Sequence, residues 1–252
     1  MKRTVAVLLT LCAALSGLGS AHAEWAAGFG GEHMSWKETT TPTVKETGLR
    51  LALDLTWTQS RQPGFSAGYN GKLIVGNVNY DGALLFTGTP ISGETHYRGI
   101  TNEAQVFYRL TRSPVDFFGA LGWDRWTRDL SVAQKETYDV LYARLGATVN
   151  SAARAGPIGS LGVKYPIWIR ENAHLTDIGF DRNPRLHPGR QLSVYGTVGY
   201  RFNPSWDLVA YYDSYRFKQS DAEVVTSAAG TVGMFQPETR MDLVGVKLQI
   251  HF

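Results

Sequence analysis

The chain has 252 residues, with 25 Lys and Arg against 22 Asp and Glu, so its formal charge of +3 offers no electrostatic case for a nucleic-acid partner. Lys2 and Arg3 fall in a segment that reads as removable, which brings the charge to +1. The one cysteine, Cys12, falls there too, so the remaining chain is held by a large core or a closed hydrogen-bonded sheet, not by disulfides.

Lys2 and Arg3 form a positive n-region, Val5 to Leu15 is an apolar run, and Ala21-His22-Ala23 places small residues around a cleavage site. Residues 1–23 are therefore expected to be a cleaved signal peptide, and 24–252 a single mature domain. Leu11 precedes Cys12 where a lipoprotein site wants a small residue, so lipidation is not expected. No later stretch approaches the ~20 consecutive apolar residues of a membrane helix. An exported chain of this kind enters a membrane only as strands.

Ten strand-like segments follow, near 25–37, 47–58, 65–78, 96–110, 117–127, 137–149, 158–170, 190–202, 206–218 and 239–252. In the second, Leu49, Leu51, Leu53, Leu55 and Trp57 oppose Gly48, Arg50, Ala52, Asp54 and Thr56. In the last, Val244, Val246, Leu248, Ile250 and Phe252 oppose Gly245, Lys247, Gln249 and His251. Successive strand side chains point to opposite faces, so each segment has one apolar and one polar face. Short joins at 59–64, 111–116, 150–157 and 203–205 alternate with mostly longer ones at 39–46, 79–95, 127–136, 171–189 and 219–237. The expected fold is all-β: an antiparallel up-and-down transmembrane β-barrel of about ten strands, with eight or twelve as alternatives. Short turns and both termini would be periplasmic, and five long loops would lie outside.

A lipocalin-like soluble barrel also alternates, with its apolar face inward. Aromatic residues favour the membrane reading: Trp57, Phe65, Tyr108, Phe117, Tyr200, Phe202, Trp206 and Phe252 at one end, and Trp36, Tyr80, Tyr97, Trp126, Tyr138, Trp168, Tyr212 and Phe217 at the other, read as two interfacial girdles. Register then points Arg50, Asp54, Lys72, Glu103, Arg109, Asp124, Arg144, Lys164, Arg201, Asp207, Asp213 and Lys247 into the lumen. Mixed signs predict a side-chain network that plugs a narrow interior. Pro166, which lacks an N–H, predicts a bulge in the seventh segment near the outer interface.

A terminal Phe252 with apolar residues at every second position before it resembles the assembly signal of bacterial outer-membrane barrels. The resemblance implies the barrel assembly machinery and periplasmic chaperones as partners, and outer-membrane lipid and lipopolysaccharide as surroundings, for a chain expected to be a monomer. Arg98, Arg125, Arg128 and Lys37 near the outer rim are candidates for lipopolysaccharide phosphates. Ten strands with long outer loops also resemble the omptin family of outer-membrane proteases. That family's paired aspartates and Asp/His pair have no counterpart here, because the chain contains neither Asp-x-Asp nor Asp-x-His. No catalytic, cofactor or metal residue is assigned. Ser92, Glu94 and His96 have the residue types of a lipid-directed esterase, and Glu171, His174, Asp177, Asp181 and His187 are the richest ligand set, without metal-site spacing. Three readings stay open: a structural or surface-interaction barrel, a narrow porin-like pore, and an enzyme acting on lipid A or peptides.

Overall fold

The computed structural model describes residues 23–59, 63–83, 88–111, 113–131, 134–150 and 155–252. The expected signal peptide, apart from Ala23, and parts of the turns at 59–64 and 150–157 lie outside the described residues. Seven long strands come first: β1 (Ala23–Glu38), β2 (Val44–Gln59), β3 (Gly64–Ala83), β4 (Pro90–Arg109), β5 (Val115–Ser131), β6 (Gln134–Asn150) and β7 (Gly156–Ala173). A loop holding a 3-10 turn (Leu175–Ile178), β8 (Arg185–Leu186) and β9 (Gly189–Arg190) leads to β10 (Ser193–Asn203) and β11 (Trp206–Lys218). A hairpin, β12 (Glu223–Ser227) and β13 (Gly230–Met234), precedes the last strand, β14 (Thr239–His251).

Each long strand pairs antiparallel with its chain neighbour, β7 with β10 and β11 with β14. β1 pairs with both β2 and β14, from Ala26 opposite His251 to Glu38 opposite Thr239, so the ten long strands close into a barrel. Trp25 and Phe252 exchange backbone hydrogen bonds of 3.2 and 3.0 Å at the seam. Closure removes both sheet edges. Among the described residues no helix is long and apolar enough to cross a membrane.

Both termini lie at one end, here called the base; the long loops lie at the top. The strands are longer at the top than expected. β3 and β4 pair as far as Ala83 opposite Pro90, and β5 and β6 as far as Ser131 opposite Gln134. Most of 79–95 and 127–136 is therefore strand, a correction to two of the five loops. Their polar residues, such as Asn79, Asp81, Ser92 and Glu94, face out from a ladder that has left the apolar zone; they do not signal a loop.

Pro166 lies in a bulge. Tyr142 faces Pro166 and Leu141 faces Trp168, which leaves Ile167 as the extra residue. The insertion shifts the alternation by one, turning Trp168 and Arg170 outward and burying Ile169 and Glu171. Near the base the exterior is a band of exposed apolar side chains including Phe29, Leu51, Leu53, Leu73, Leu145, Leu161, Val198, Val246 and Leu248. Such a surface has no stable place in water.

Candidate functional site in the barrel lumen

The twelve charges assigned to the lumen from the sequence all point into it, and the structure supplies their partners. Arg50 and Lys72 both bind Glu32, the first at 2.5 Å, while Tyr211 donates to Glu32 at 2.8 Å. Lys247 pairs with Asp54 at 3.1 Å. Arg144 bridges Glu103 at 3.3 Å and Asp213 at 2.7 Å, and Lys164 reaches Asp213 at 2.6 Å. Nearer the base, Arg109 grips Asp116 through two nitrogens, at 2.5 and 2.8 Å. Arg201 holds Asp207 in the same way, and His251 adds a 2.7 Å contact to Asp207. Asp124 accepts from the Thr101 hydroxyl. Among these groups lies a cavity of about 760 Å³, running from Gln59, Arg109 and His251 at the base up to Trp126, Tyr215 and Met241.

Above the cavity the lumen holds a layer of apolar and aromatic side chains. Met34, Trp36, Val78, Tyr97, Trp126, Tyr138, Val140, Tyr142, Ile169, Tyr215, Phe217, Met241 and Leu243 form one buried cluster contributed by β1, β3, β4, β5, β6, β7, β11 and β14. Trp126 stacks on Tyr138 with centroids 5.1 Å apart, and Trp36 meets the same ring edge-on at 5.5 Å. This corrects the outer girdle. Trp36, Tyr80, Tyr97, Trp126, Tyr138 and Phe217 are buried in the lumen, and of the expected set Trp168 and Tyr212 face out. The girdle at the base has its rings outside, with Phe65, Tyr108, Phe117, Phe202 and Phe252 all exposed.

One inward position beyond this layer stands Arg128, buried among carboxylates: Glu38 at 3.1 Å, Glu46 at 2.9 Å and Glu136 at 2.7 Å. Its guanidinium lies 5.2 Å from the Trp36 ring centre. Trp36 Nε1 donates to Glu38 at 2.9 Å, the Thr95 hydroxyl to Glu46 at 2.8 Å, and the Tyr138 hydroxyl to Glu136 at 3.1 Å. A fourth carboxylate, Glu171, is buried beside them, and its Oε2 has no hydrogen-bond partner. The outward residues at this level, including Lys37, Lys45, Asp129, Lys135 and Arg170, are polar, so the cluster sits beyond the apolar band. Burial, reinforced by Glu136 and Glu38, holds the Glu171 carboxyl well above the usual carboxylate range. Arg128 was expected at the outer rim for lipid phosphates; strand parity places it inside instead.

Sequence reasoning also missed Glu32, Glu38, Glu46, Asp116 and Glu136, and read Glu171 as a loop ligand where it is a buried lumen group. The signal that finds the upper ones is an adjacent apolar pair, Val140-Leu141 in β6 and Leu243-Val244 in β14, where the apolar face changes sides without a change of register.

The other candidates do not converge. Ser92, Glu94 and His96 lie on the outer face of β4; at about 3.4 Å per residue Ser92 and His96 are roughly 14 Å apart. The His96 ring instead contacts Asn77 at 2.6 Å. His174 meets Thr137 outside the barrel, Asp181 accepts from the Thr226 backbone, His187 contacts the Ile169 carbonyl and Glu171 turns inward. Among the described residues no group of three or more His, Cys, Asp or Glu is arranged to hold a metal ion. The last loop is a folded hairpin. Ala173, Leu175 and Val225 form a small core with Ile178, Phe180, Val232 and Met234, joining β12–β13 to the 3-10 turn. Arg182 donates to the Val224 carbonyl at 2.5 Å.

Neither a family model nor a curated protein matches the sequence. Among solved structures the chain is similar to the outer membrane protease OmpT from Escherichia coli, at 11% identity over 91% of this chain and 96% of that one, with a TM-score of 0.54. The translocator domain of the autotransporter NalP from Neisseria meningitidis matches at 9% identity over 99% and 97%, with a TM-score of 0.43. The attachment invasion locus protein Ail of Yersinia pestis matches at 11% over 92% and 99%, with a TM-score of 0.33. The first bears on the fold, and on the fold alone. The fold is that of the outer-membrane β-barrels, closed, antiparallel and ten-stranded.

Proposed function

We propose that this protein is a non-conducting outer-membrane barrel that presents its top loops as a rigid interaction surface. The base, with both termini and the short turns, faces the periplasm, and the 171–189 and 219–237 segments face outward. Export by the N-terminal segment and assembly guided by Phe252 belong to this reading, as does a monomer surrounded by lipid and lipopolysaccharide, with Lys37, Arg98 and Arg125 available to phosphates on the outside. The observation that carries it is the buried layer from Met34 to Leu243, which crosses the lumen above the cavity. The small loop core around Leu175 and Val225 supports a shaped surface rather than a mobile one.

Planar-bilayer recording of the purified barrel tests the closed lumen. The expected trace is flat, and reproducible discrete openings would overturn the reading in favour of a narrow pore. Deleting 221–234 tests the loop surface: the barrel should keep its heat-modifiable gel mobility while surface binding by whole cells is lost. Unchanged binding would remove the loops from the proposal.

A further inference from the structure

The charges around the cavity nearly balance in number but not in placement. Five ion pairs set their cation toward the cavity and their carboxylate behind it. Lys72 has 15% of its side chain accessible against none for Glu32, Arg109 20% against none for Asp116, and Lys247 14% against 4% for Asp54. Arg201 and Asp207 repeat the order at 14% and 3%, and Arg144 exposes 15% while Glu103 exposes none. Two carboxylates break it: Asp213, at 19% against none for Lys164, and Glu24 at the mouth, at 53% and 3.8 Å from Arg201. A wall of dipoles with their positive ends inward creates a positive potential in a cavity whose surrounding charges nearly cancel. The cations also converge. The ammonium groups of Lys72 and Lys247 lie 5.0 and 5.9 Å from the centre of one ring, Tyr211.

We propose that the lumen cavity is a binding site for small anions bearing phosphate or carboxylate groups, entered from the base. Lys72 and Lys247 hold the anion in mid-lumen, and Arg109 and Arg201 draw it in past the mouth. Each ammonium keeps donors beyond the bond to its own carboxylate, and an oxyanion supplies the acceptors. The site is independent of the loop surface proposed above and does not require conduction.

The test is phosphorus NMR of inorganic phosphate and pyrophosphate, titrated with the purified barrel in a zwitterionic detergent at low salt. Saturable line broadening is expected, with pyrophosphate the tighter ligand. Lys72→Gln should weaken it about tenfold, the loss of one charge-assisted contact, while Lys72→Arg retains it. Glu32 keeps Arg50 and Tyr211 in both variants, so folding is preserved. An Arg98→Gln, Arg125→Gln double variant on the outer face should leave the broadening unchanged. Absence of saturable broadening with the wild-type barrel, broadening indifferent to Lys72→Gln, or broadening abolished by the outer-face variant would each overturn the proposal.

Discussion

Replacing Arg128 by methionine removes the guanidinium that faces Glu38, Glu46 and Glu136 at 3.1, 2.9 and 2.7 Å. Breaking a buried pair on one side costs about 3–5 kcal/mol, because the remaining charge has lost water and gained nothing. Here three carboxylates are stranded, and they have an escape. Protonating one carboxyl of ordinary pKa near 4.3 at pH 7 costs about 3.7 kcal/mol, which caps the penalty for each group that takes it. The loss at pH 7 should therefore be about 3–5 kcal/mol or somewhat more. It should shrink to roughly 1–2 kcal/mol near pH 4.5, where protonation is nearly free. Guanidinium unfolding of the barrel in micelles, followed by tryptophan fluorescence and by gel mobility without boiling, measures both. Adding Glu46→Gln and Glu136→Gln to Arg128→Met should restore part of the loss. A loss below about 1 kcal/mol at pH 7, or an equal loss at both pH values, would refute the idea that Arg128 compensates a water-poor carboxylate cluster.

The buried layer gives a second expectation: Trp36→Ala should cost about 3–5 kcal/mol and open measurable conductance in planar bilayers, and a silent, equally stable variant would contradict the ceiling. The Tyr142 ring lies across Gly122, where an added Cβ would stand 2.1 Å from it, whereas at Gly119 the nearest atom is 3.5 Å away; Gly122→Val should thus destabilise by about 1–3 kcal/mol and Gly119→Ala by little, as read by the same unfolding curves. Glu171, held above the ordinary carboxylate range, keeps a proton in the fold that the unfolded chain releases, so its contribution is intact below about pH 4.3 and lost as pH rises. Glu171→Gln should accordingly gain stability relative to wild type as pH rises, and parallel pH profiles would count against it. Phe252→Ala should lower the amount of barrel in the outer membrane while leaving the stability of refolded protein within about 1 kcal/mol, since the side chain is exposed; equal loss of both would make Phe252 a structural residue only.

The ten strands are legible in the sequence because the run Leu49 to Leu55 and its equivalents keep a strict period of two, and because a one-residue slip would turn every lumen charge into lipid. The same parity is enough to point the twelve lumen charges inward. Pro166 announces its bulge, since a closed ladder has no place for a missing donor except an irregularity. The outer aromatics are not legible from their position along the strand. Trp126 shares parity with Asp124, and Tyr138 with Arg144, so counting residues from the lumen charges turns both inward. Reading them as girdle residues used height where parity was decisive. Glu38, Glu46 and Glu136 escaped for a related reason: they sit in stretches polar enough to pass for loop.

These misreadings share one physical cause, which is that each strand passes through two solvents. Along β14 the outward residues Val244, Val246, Leu248 and Ile250 are exposed, while inward Lys247 lines the polar cavity. Further up, inward Met241 and Leu243 are buried and outward Arg240 and Asp242 are polar. β1 makes the same exchange between Phe29 and Trp36, with His33, Ser35 and Lys37 outside. Where lipid surrounds the barrel, the apolar face must be the outer one; where water surrounds it, the same ladder is stable only with the apolar face inside. The upper barrel is thus built as a soluble barrel stacked on a membrane one, and its lumen fills with Trp36, Trp126 and Tyr138 because that is where a soluble barrel keeps its core. On this reading the closed lumen follows from strands that continue past the bilayer. Trimming β3 and β4 back toward the apolar band would remove Val78 and Tyr97 from the layer and weaken the seal before it weakened the membrane-spanning sheet.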